Sequence, residues 1–240
     1  MSGHSKWNNI KGRKEKADKS RGKIFTKLGR ELLMAVKSGG PDINSNSKLK
    51  EVVAKAKANN MPNDTIDKAI KKAAGADNNE NYEEIVYEGY GPSGVAVIVN
   101  ASTDNKNRAA AEVRHIFDKS GGSLGTTGCV SYMFDKKGII IISKDGTNLS
   151  EDDLMLFAIE LGAENFESGE DYYEITTLPL DFSVVREGLE KEGLTFVEAE
   201  IEMVPQTYVK LEEPVAERME RLIEQLEDLD DVIEVYHNWE

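Results

Sequence analysis

Residues 139–204 read IIIISKDGTNLSEDDLMLFAIELGAENFESGEDYYEITTLPLDFSVVREGLEKEGLTFVEAEIEMV, and in this stretch patterns typical of strands and of helices follow one another most clearly. In chain order, a strand, a helix, a strand, a helix and a strand are predicted at 139–143, 151–161, 172–176, 181–192 and 195–204. If residues 165–167 supply one more strand, the order becomes βαββαβ. That order is typical of the ferredoxin-like fold.

The residues on both sides of this stretch fit one further α/β domain. Before it, two strands, a helix and a strand are predicted at 85–90, 95–101, 105–120 and 129–134. After Pro205, a strand, a helix and a strand are predicted at 207–211, 214–229 and 232–236. Because the C-terminal pieces are too few to bury a core alone, we expect them to complete the sheet that begins at Ile85. Residues 136–204 are then an insertion between the two halves of that domain.

The first 78 residues predict helices alone. Apolar residues recur at helical spacing in three segments that begin near Ile24, Leu49 and Ile66. The predicted fold class is therefore α+β and multidomain, with an N-terminal three-helix bundle followed by two ferredoxin-like α/β domains, one inserted into the other. The predicted domains are a basic helical domain at 1–78, a discontinuous α/β domain at 79–135 with 205–240, and an acidic inserted domain at 136–204.

Charge is divided unevenly along the chain. Residues 1–77 hold 18 Lys and Arg against 8 Asp and Glu, a net charge of +10. Residues 78–240 hold 12 against 36, a net charge of −24, and the whole chain carries −14. Because the acidic part repels a polyanion, only the basic end is suited to bind a phosphate backbone. This separation predicts a nucleic-acid-binding protein that makes contact through its N-terminal domain.

Composition limits the class of protein and its compartment. With 39% hydrophobic and 31% charged residues, the chain has the composition of a soluble globular protein. Its longest apolar run, Ile139–Ile142, is too short to cross a bilayer, and the N-terminus lacks the apolar stretch of a signal peptide. The single cysteine, Cys129, excludes an internal disulfide and fits a reducing compartment. We therefore expect a cytoplasmic protein without a membrane partner.

Ten Lys and Arg residues crowd the first 30 positions, where the only acidic residues are Glu15 and Asp18. Such side chains neutralise phosphates, and an exposed indole such as that of Trp7 can stack on an unpaired base. The alternative interpretation is a solvated basic face, with Trp7 anchoring the segment to the helices. The candidate nucleic-acid-binding residues of this segment are His4, Lys6, Trp7, Lys11, Arg13, Lys14, Lys16, Arg21 and Lys23.

Two further basic groups are candidates for phosphate contact. The first shares one face of the third predicted helix, although an ordinary solvated surface would show the same pattern. The second opens a helix after a strand, where free N–H groups attract anions. A capping role for Thr103 or Asp104 explains part of this second pattern. The residues of the two groups are Lys68, Lys71 and Lys72, and Asn105, Lys106 and Arg108.

Patterns that indicate catalysis are weak. His4, His115 and His237 do not have the spacing of metal ligands, and Cys129 lies in an apolar pattern typical of a core. The glycine-rich run 121–128 lacks the Gly-Lys-Ser/Thr ending of a phosphate-binding loop and follows a helix, so it is interpreted as a flexible connection. We expect no enzyme activity, no metal and no cofactor.

Several separated motifs along the chain belong together: Gly3–Lys11 (GHSKWNNIK), Gly22–Phe25 (GKIF), Gly39–Asp42 (GGPD), Asn60–Asn63 (NMPN), Tyr87–Pro92 (YEGYGP), Thr103–Arg108 (TDNKNR) and Gly121–Gly125 (GGSLG). They resemble the motifs of the YebC family, and the resemblance covers nearly all 240 residues.

The resemblance implies three domains, one helical and two α/β, and a bacterial cytoplasmic protein of a kind usually labelled a transcriptional regulator that binds promoter DNA. A mitochondrial relative is a translational activator of cytochrome c oxidase, and some bacterial relatives are linked to ribosomes stalled on proline-rich sequence. The resemblance therefore implies nucleic acid as the partner without deciding which kind. It marks His4, Lys6, Trp7, Lys11 and the 104–108 segment as functional positions.

Three functions remain open on the sequence. The first is a DNA-binding transcriptional regulator, whose partner is promoter DNA. The second is a translation factor that binds ribosomal or transfer RNA, has the ribosome as a further partner, and relieves stalling on proline-rich sequence. The third is a protein-interaction module, in which the acidic α/β part binds a protein and the basic N-terminus is its tether.

Overall fold

A computed structural model of the chain describes residues 21–75 and 81–240. They contain seven α-helices and two four-stranded sheets. By compactness, residues 136–204 form one unit, and residues 21–135 with 205–240 form the other. The α+β fold class predicted from the sequence is confirmed, whereas the three predicted domain ranges stay a prediction.

Three helices make up the described part of the N-terminal region. Asn46 caps the second of them, because its side-chain oxygen accepts a hydrogen bond from the Leu49 N–H at 3.0 Å. Gly40 follows the first with a φ of +85°, a left-handed conformation that suits glycine at a helix end. Their facing sides bury Leu32, Leu49 and Ile66 in one apolar core. The helices are α1 (Arg21–Gly39), α2 (Ser47–Ala58) and α3 (Asn63–Ala74).

The first sheet has the strand order β3-β1-β2-β8, and its neighbouring strands run antiparallel. One face packs against two helices, with Val97, Val99, Phe117, Met219 and Leu222 in the buried core between them. The elements are β1 (Glu83–Tyr90), β2 (Ala96–Thr103), α4 (Lys106–Lys119), β3 (Ser123–Leu124), α7 (Val215–Glu227) and β8 (Val232–His237).

The inserted unit has the strand order β5-β6-β4-β7. The two strands joined by each of its helices lie on either side of a third strand, which is the split βαβ arrangement of the ferredoxin-like fold. Its core includes Ile140, Ile142, Leu154, Ile175 and Val185. The elements are β4 (Phe134–Ser143), α5 (Glu151–Leu161), β5 (Asn165–Ser168), β6 (Tyr172–Thr177), α6 (Phe182–Lys191) and β7 (Glu198–Pro205).

The first sheet repeats this spatial order with a different chain order. β1 occupies the place that β6 holds in the inserted unit, but it precedes the central strand β2 in the chain. The helix α4 still joins β2 and β3 across β1, so this half is also a split βαβ unit. The first sheet and its two helices therefore have a permuted ferredoxin-like topology.

Two predicted strands and one predicted loop are wrong. Residues 129–133 form a turn and a short 3₁₀ helix instead of a strand, because the Glu88 carboxylate accepts hydrogen bonds from the backbone N–H groups of Gly128, Val130 and Ser131. Residues 207–211 make only an isolated bridge, Val209 to Trp239. The glycine-rich run is not a plain flexible connection, because its Ser123–Leu124 pair is a strand hydrogen-bonded to β1.

Candidate nucleic-acid interface

The predicted contact residues of the extreme N-terminus, 1–20, lie outside the described residues. The predictions for His4, Lys6, Trp7, Lys11, Arg13, Lys14 and Lys16 therefore stay predictions. The structure does describe the remaining candidates, which are Arg21, Lys23, Lys68, Lys71, Lys72, Asn105, Lys106 and Arg108. Arg21 begins α1 and is exposed.

Three basic residues of α1 contact an acidic segment, residues 227–231 with the sequence EDLDD. They are spaced by four and three residues, so they lie on one side of the helix. Each donates a short hydrogen bond to the acidic segment. The bonds run from Lys23 Nζ to Asp228 Oδ1 (2.9 Å), from Lys27 Nζ to the Glu227 carbonyl oxygen (2.6 Å), and from Arg30 Nη1 to the Asp230 carbonyl oxygen (2.6 Å).

The position of the acidic segment explains why it attracts cations. Helix α7 ends at Glu227, and the carbonyl groups at a helix C-terminus lack partners within the helix and carry partial negative charge. Burial lowers the pKa of the Lys27 ammonium, and the charge of Lys23 lowers it further against the opposing effect of Glu227. The Asp228 carboxylate, in contrast, raises the pKa of Lys23. Lys23 thus has an intramolecular partner, and a phosphate contact by this residue would require that ion pair to open.

Asp231 joins the helical region to the first sheet. Its side chain is buried, with 5% of the residue exposed, and it accepts hydrogen bonds from Arg30 Nη1 (3.0 Å), Thr103 Oγ1 (2.8 Å) and Arg108 Nη2 (2.7 Å). Burial alone would raise the pKa of this carboxyl, but the bonds from Arg108 and Thr103 and the charges of Arg108 and Arg30 outweigh it and lower the pKa. Asp231 therefore acts as the shared anion for donors from α1, β2 and α4.

The start of α4 is held by contacts within the chain. Asn105 is the N-cap, and its Oδ1 accepts the Arg108 N–H at 3.1 Å, so the capping role predicted for Thr103 or Asp104 is wrong. Lys106 Nζ forms an ion pair with Glu83 at 2.5 Å. Arg108 Nη2 lies 2.8 Å from Asp104 and 2.7 Å from Asp231, and these carboxylates raise its pKa above the ordinary arginine value. A phosphate bound here would have to displace these partners.

Lys68, Lys71 and Lys72 are all exposed on α3, opposite the buried Ile66 and Ile70. This confirms the predicted helix and its exposed basic face. Within the described ranges, the side chains of Lys68 and Lys71 make no hydrogen bond or ion pair with the rest of the chain. These two ammonium groups can therefore meet a phosphate without first breaking a contact to described residues.

The sequence interpretation missed the contact of Lys27 with Glu227 and that of Arg30 with Asp231. The i, i+4, i+7 spacing of Lys23, Lys27 and Arg30 was a usable signal of one basic helix side. The run EDLDD was a signal of a strongly acidic segment. No sequence pattern indicated that the basic helix side and the acidic segment contact each other, because about 200 residues separate them.

The described residues contain neither a candidate metal site nor a helix suited to cross a membrane. No group of three or more His, Cys, Asp or Glu side chains within 21–75 and 81–240 is arranged to hold a metal ion. In the same residues no helix combines the length and the apolar character that a membrane crossing requires.

Similarity to known proteins covers both parts of the chain. Residues 5–76 match the family described as "TACO1/YebC protein N-terminal domain", and residues 82–239 match "TACO1/YebC second and third domain". Two similar relatives are both named "Probable transcriptional regulatory protein". One, from Acetivibrio thermocellus, is 65% identical over 100% of this chain and 99% of its own length, and one from Caldicellulosiruptor saccharolyticus is 62% identical over the same shares.

A solved structure shows the same fold. A conserved hypothetical protein from Aquifex aeolicus superposes with a TM-score of 0.82 at 45% sequence identity, covering 93% of this chain and 92% of its own. The motifs, the two family matches and this structure agree over nearly the whole length. The chain therefore belongs to the TACO1/YebC family.

Proposed function

We propose that this protein is a nucleic-acid-binding regulator of gene expression, and specifically a DNA-binding transcriptional regulator rather than an enzyme. The observation that carries the proposal is the charge separation between residues 1–77, at +10, and residues 78–240, at −24. The names of the relatives, which describe transcriptional regulatory proteins, support a regulatory role.

Several candidate basic side chains already have partners within the chain, so fewer of them are open to a phosphate. Lys23, Lys27 and Arg30 already contact the acidic segment, and Lys106 and Arg108 have carboxylate partners. Among the candidate residues that the structure describes, Lys68 and Lys71 have exposed ammonium groups without such a partner, and the candidates in residues 1–20 stay a prediction. We therefore assign the contact to residues 1–20 together with Lys68 and Lys71.

The salt dependence of binding by the full-length protein tests the proposal. If about five to eight phosphates are neutralised, log affinity for duplex DNA should fall with log salt at a slope of about −4 to −7. Replacing Lys6 and Lys11 with alanine should make the slope less negative by about one unit for each contacting lysine. A slope near zero, or one that both substitutions leave unchanged, would refute a phosphate contact by the N-terminus.

The pair Lys68→Ala and Lys71→Ala gives a second prediction. Together they should weaken binding to every duplex alike and reduce the salt slope by about two units, because the two residues contact phosphate and not bases. The measurement is fluorescence anisotropy with a labelled duplex over a salt series. Lys119→Ala is the matched control, since Lys119 is exposed in the last turn of α4, outside the basic region. An equal change per charge removed in both proteins would show that only net charge matters.

A second candidate function is a translation factor that binds ribosomal or transfer RNA. Trp7 favours it, because it lies among six Lys and Arg in residues 1–20, and an indole can stack on a base that is not paired. Ultraviolet crosslinking in living cells, followed by sequencing of the attached nucleic acid, distinguishes the two functions. Crosslinks at promoter DNA support the transcriptional function. Crosslinks in ribosomal or transfer RNA that Trp7→Ala abolishes support the translational one.

We place the protein in the cytoplasm and assign it no catalytic residue. Cys129 is the single cysteine, is free, and suits a reducing compartment. Burial raises the pKa of its thiol, and the nearby Glu88 raises it further, which keeps it in the protonated form that is a poor nucleophile.

A further inference from the structure

The inserted unit presents an apolar surface on the outside of its two helices. We call it the α5–α6 surface and define it by Leu156, Ile159, Leu180 and Val184. Their exposed fractions are 58%, 51%, 92% and 61%. Leu180, in the turn that enters α6, is almost fully exposed. Single exposed apolar residues are ordinary, but four on one pair of helices are not explained by folding of the unit itself.

Helical geometry shows that these side chains face away from the core. Leu154 and Ala158 are both fully buried. Leu156 lies two residues from each of them, which at about 100° per residue places it on the opposite side of α5. A helix on a protein surface normally carries polar residues on that side, whereas residues 154–161 of α5 (LMLFAIEL) include a single polar residue, Glu160. Such a helix is expected to be covered on both sides.

The two helices approach each other closely enough to form one surface. A Cβ atom added to Gly188 of α6 would lie 2.5 Å from Cδ2 of Leu161 on α5, so the two helices are in close contact at this point. The end of α5 also meets the start of α6, because a Cβ on Gly162 would lie 4.0 Å from Asp181. Apolar residues on the outer sides of both helices therefore belong to adjoining parts of the surface.

The charges around this surface are almost all negative. The inserted unit, 136–204, holds 5 Lys and Arg against 17 Asp and Glu, a net charge of −12. Of the basic residues on its two helices, Arg186 is buried beside Glu190 and Lys191 lies at the end of α6. The acidic residues on or next to the helices are Glu151, Asp152, Asp153, Glu160, Asp181, Glu187 and Glu190.

We propose that the α5–α6 surface is a docking site for a basic, amphipathic segment of another protein, with apolar side chains that cover Leu156, Ile159, Leu180 and Val184. The acidic rim selects this class of partner, because Lys and Arg beside the apolar contacts are attracted to it. A second copy of the unit would bring like charges together, and nucleic acid or an anionic bilayer would be repelled. This binding does not depend on the proposed nucleic-acid contact, which lies in the oppositely charged part of the sequence.

Binding of defined peptides to the full-length protein tests the inference. The probe is a fluorescent amphipathic helix of about 18 residues, with leucine on one side and lysine on the other. One comparison peptide replaces lysine with glutamate, and another keeps the composition but disperses the leucines. At near-physiological salt, about 0.15 M, we expect the lysine probe to bind about tenfold more tightly than either comparison peptide. Equal affinity for the lysine probe and the dispersed peptide would overturn the proposal.

Substitutions locate the binding. Leu156→Gln with Ile159→Gln should weaken the lysine probe about tenfold, and Leu180→Gln alone severalfold. Leu180→Gln cannot remove core packing, since its side chain is exposed, and Val86→Gln is the control for an exposed apolar residue of the first sheet. Unchanged affinity in all of the α5–α6 variants would contradict the inference. So would a dimer in light scattering that Leu180→Gln dissociates, because the occupant would then be a second copy.

Discussion

The Asp231→Ala variant is expected to have a free energy of unfolding about 3–5 kcal/mol below that of the wild-type protein. The buried Asp231 carboxylate accepts bonds from Arg30, Thr103 and Arg108, and its backbone carbonyl accepts the Ser102 N–H at 2.8 Å. Removing the side chain leaves a buried hydroxyl and the Arg30 guanidinium without their shared acceptor. The loss of that acceptor costs more than one ordinary hydrogen bond, because three bonds and two charge pairs to one buried carboxylate are lost together.

Urea denaturation at neutral pH measures this loss. Asp228→Ala is the control, because Asp228 also pairs with a lysine of α1 but has a side chain that is 74% exposed, and surface ion pairs contribute little. Asp231→Asn should fall between the two, since its amide oxygen can accept from Thr103 or one arginine but carries no charge. If Asp231→Ala unfolds at the same urea concentration as Asp228→Ala, Asp231 does not hold these elements together.

The difference between wild type and Asp231→Ala should depend on pH. The hydrogen bonds and charges around Asp231 outweigh its burial and lower its pKa in the folded state. A carboxyl with a lowered pKa stabilises the fold above its ordinary value of about 3.9, and that stabilisation is lost as the pH falls towards the lowered value. The two proteins should therefore differ by a constant amount near neutral pH and converge in acid.

The sequence predicted the elements whose pattern is local. The period of 3.6 residues in α3 and its proline and glycine boundaries are signals carried by neighbouring residues, and α3 runs from Asn63 to Ala74 as expected. The βαββαβ order of the inserted unit could be predicted for the same reason. Three of its strands are local apolar patterns separated by its two helices, and only β5, with the sequence NFES, was a conditional prediction.

The failures share a physical cause, which is that contacts between distant residues decided the outcome. The apolar residues Val130 and Phe134 resemble a strand, but the Glu88 side chain binds the 128–131 backbone and prevents it from pairing in a sheet. The ion pair of Lys23 with Asp228 could not be predicted for the same reason, and the phosphate contact of Lys23 stays a prediction. Neither Glu88 nor Asp228 is near its partner in the chain, so no window of sequence contains both.

The Glu88→Ala variant is the second case with a large expected effect. The Glu88 residue is 3% exposed, and its carboxylate accepts the N–H groups of Gly128 (2.7 Å), Val130 (2.9 Å) and Ser131 (2.8 Å). Alanine leaves all three donors without this acceptor, and of these residues Val130 is buried whereas Gly128 is exposed and can bind water instead. We expect the free energy of unfolding to fall by about 2–4 kcal/mol, since each unsatisfied buried donor costs about 1–3 kcal/mol and the loop can rearrange to satisfy some of them.

In Glu88→Ala, the loop of residues 128–131 should lose protection against amide exchange more than the rest of the protein does. This distinguishes the loss of the three bonds to Glu88, which act as a clamp on the loop, from a general loss of stability. Amide exchange measured by NMR should accelerate more at Gly128, Val130 and Ser131 than in β2 in the Glu88→Ala variant. The control Glu112→Gln, which changes an exposed carboxylate on α4, should alter exchange in neither place.

Burial raises the pKa of Glu88, but the backbone hydrogen bonds outweigh it and lower the pKa below the ordinary value. Protonation of Glu88 in acid should therefore weaken the clamp in the wild-type protein too, so exchange in the loop should rise as the pH falls below about 4, after correction for the intrinsic rate. Exchange in the loop that stays as slow in Glu88→Ala as in the wild type would mean that the glycine-rich run holds this conformation without the carboxylate.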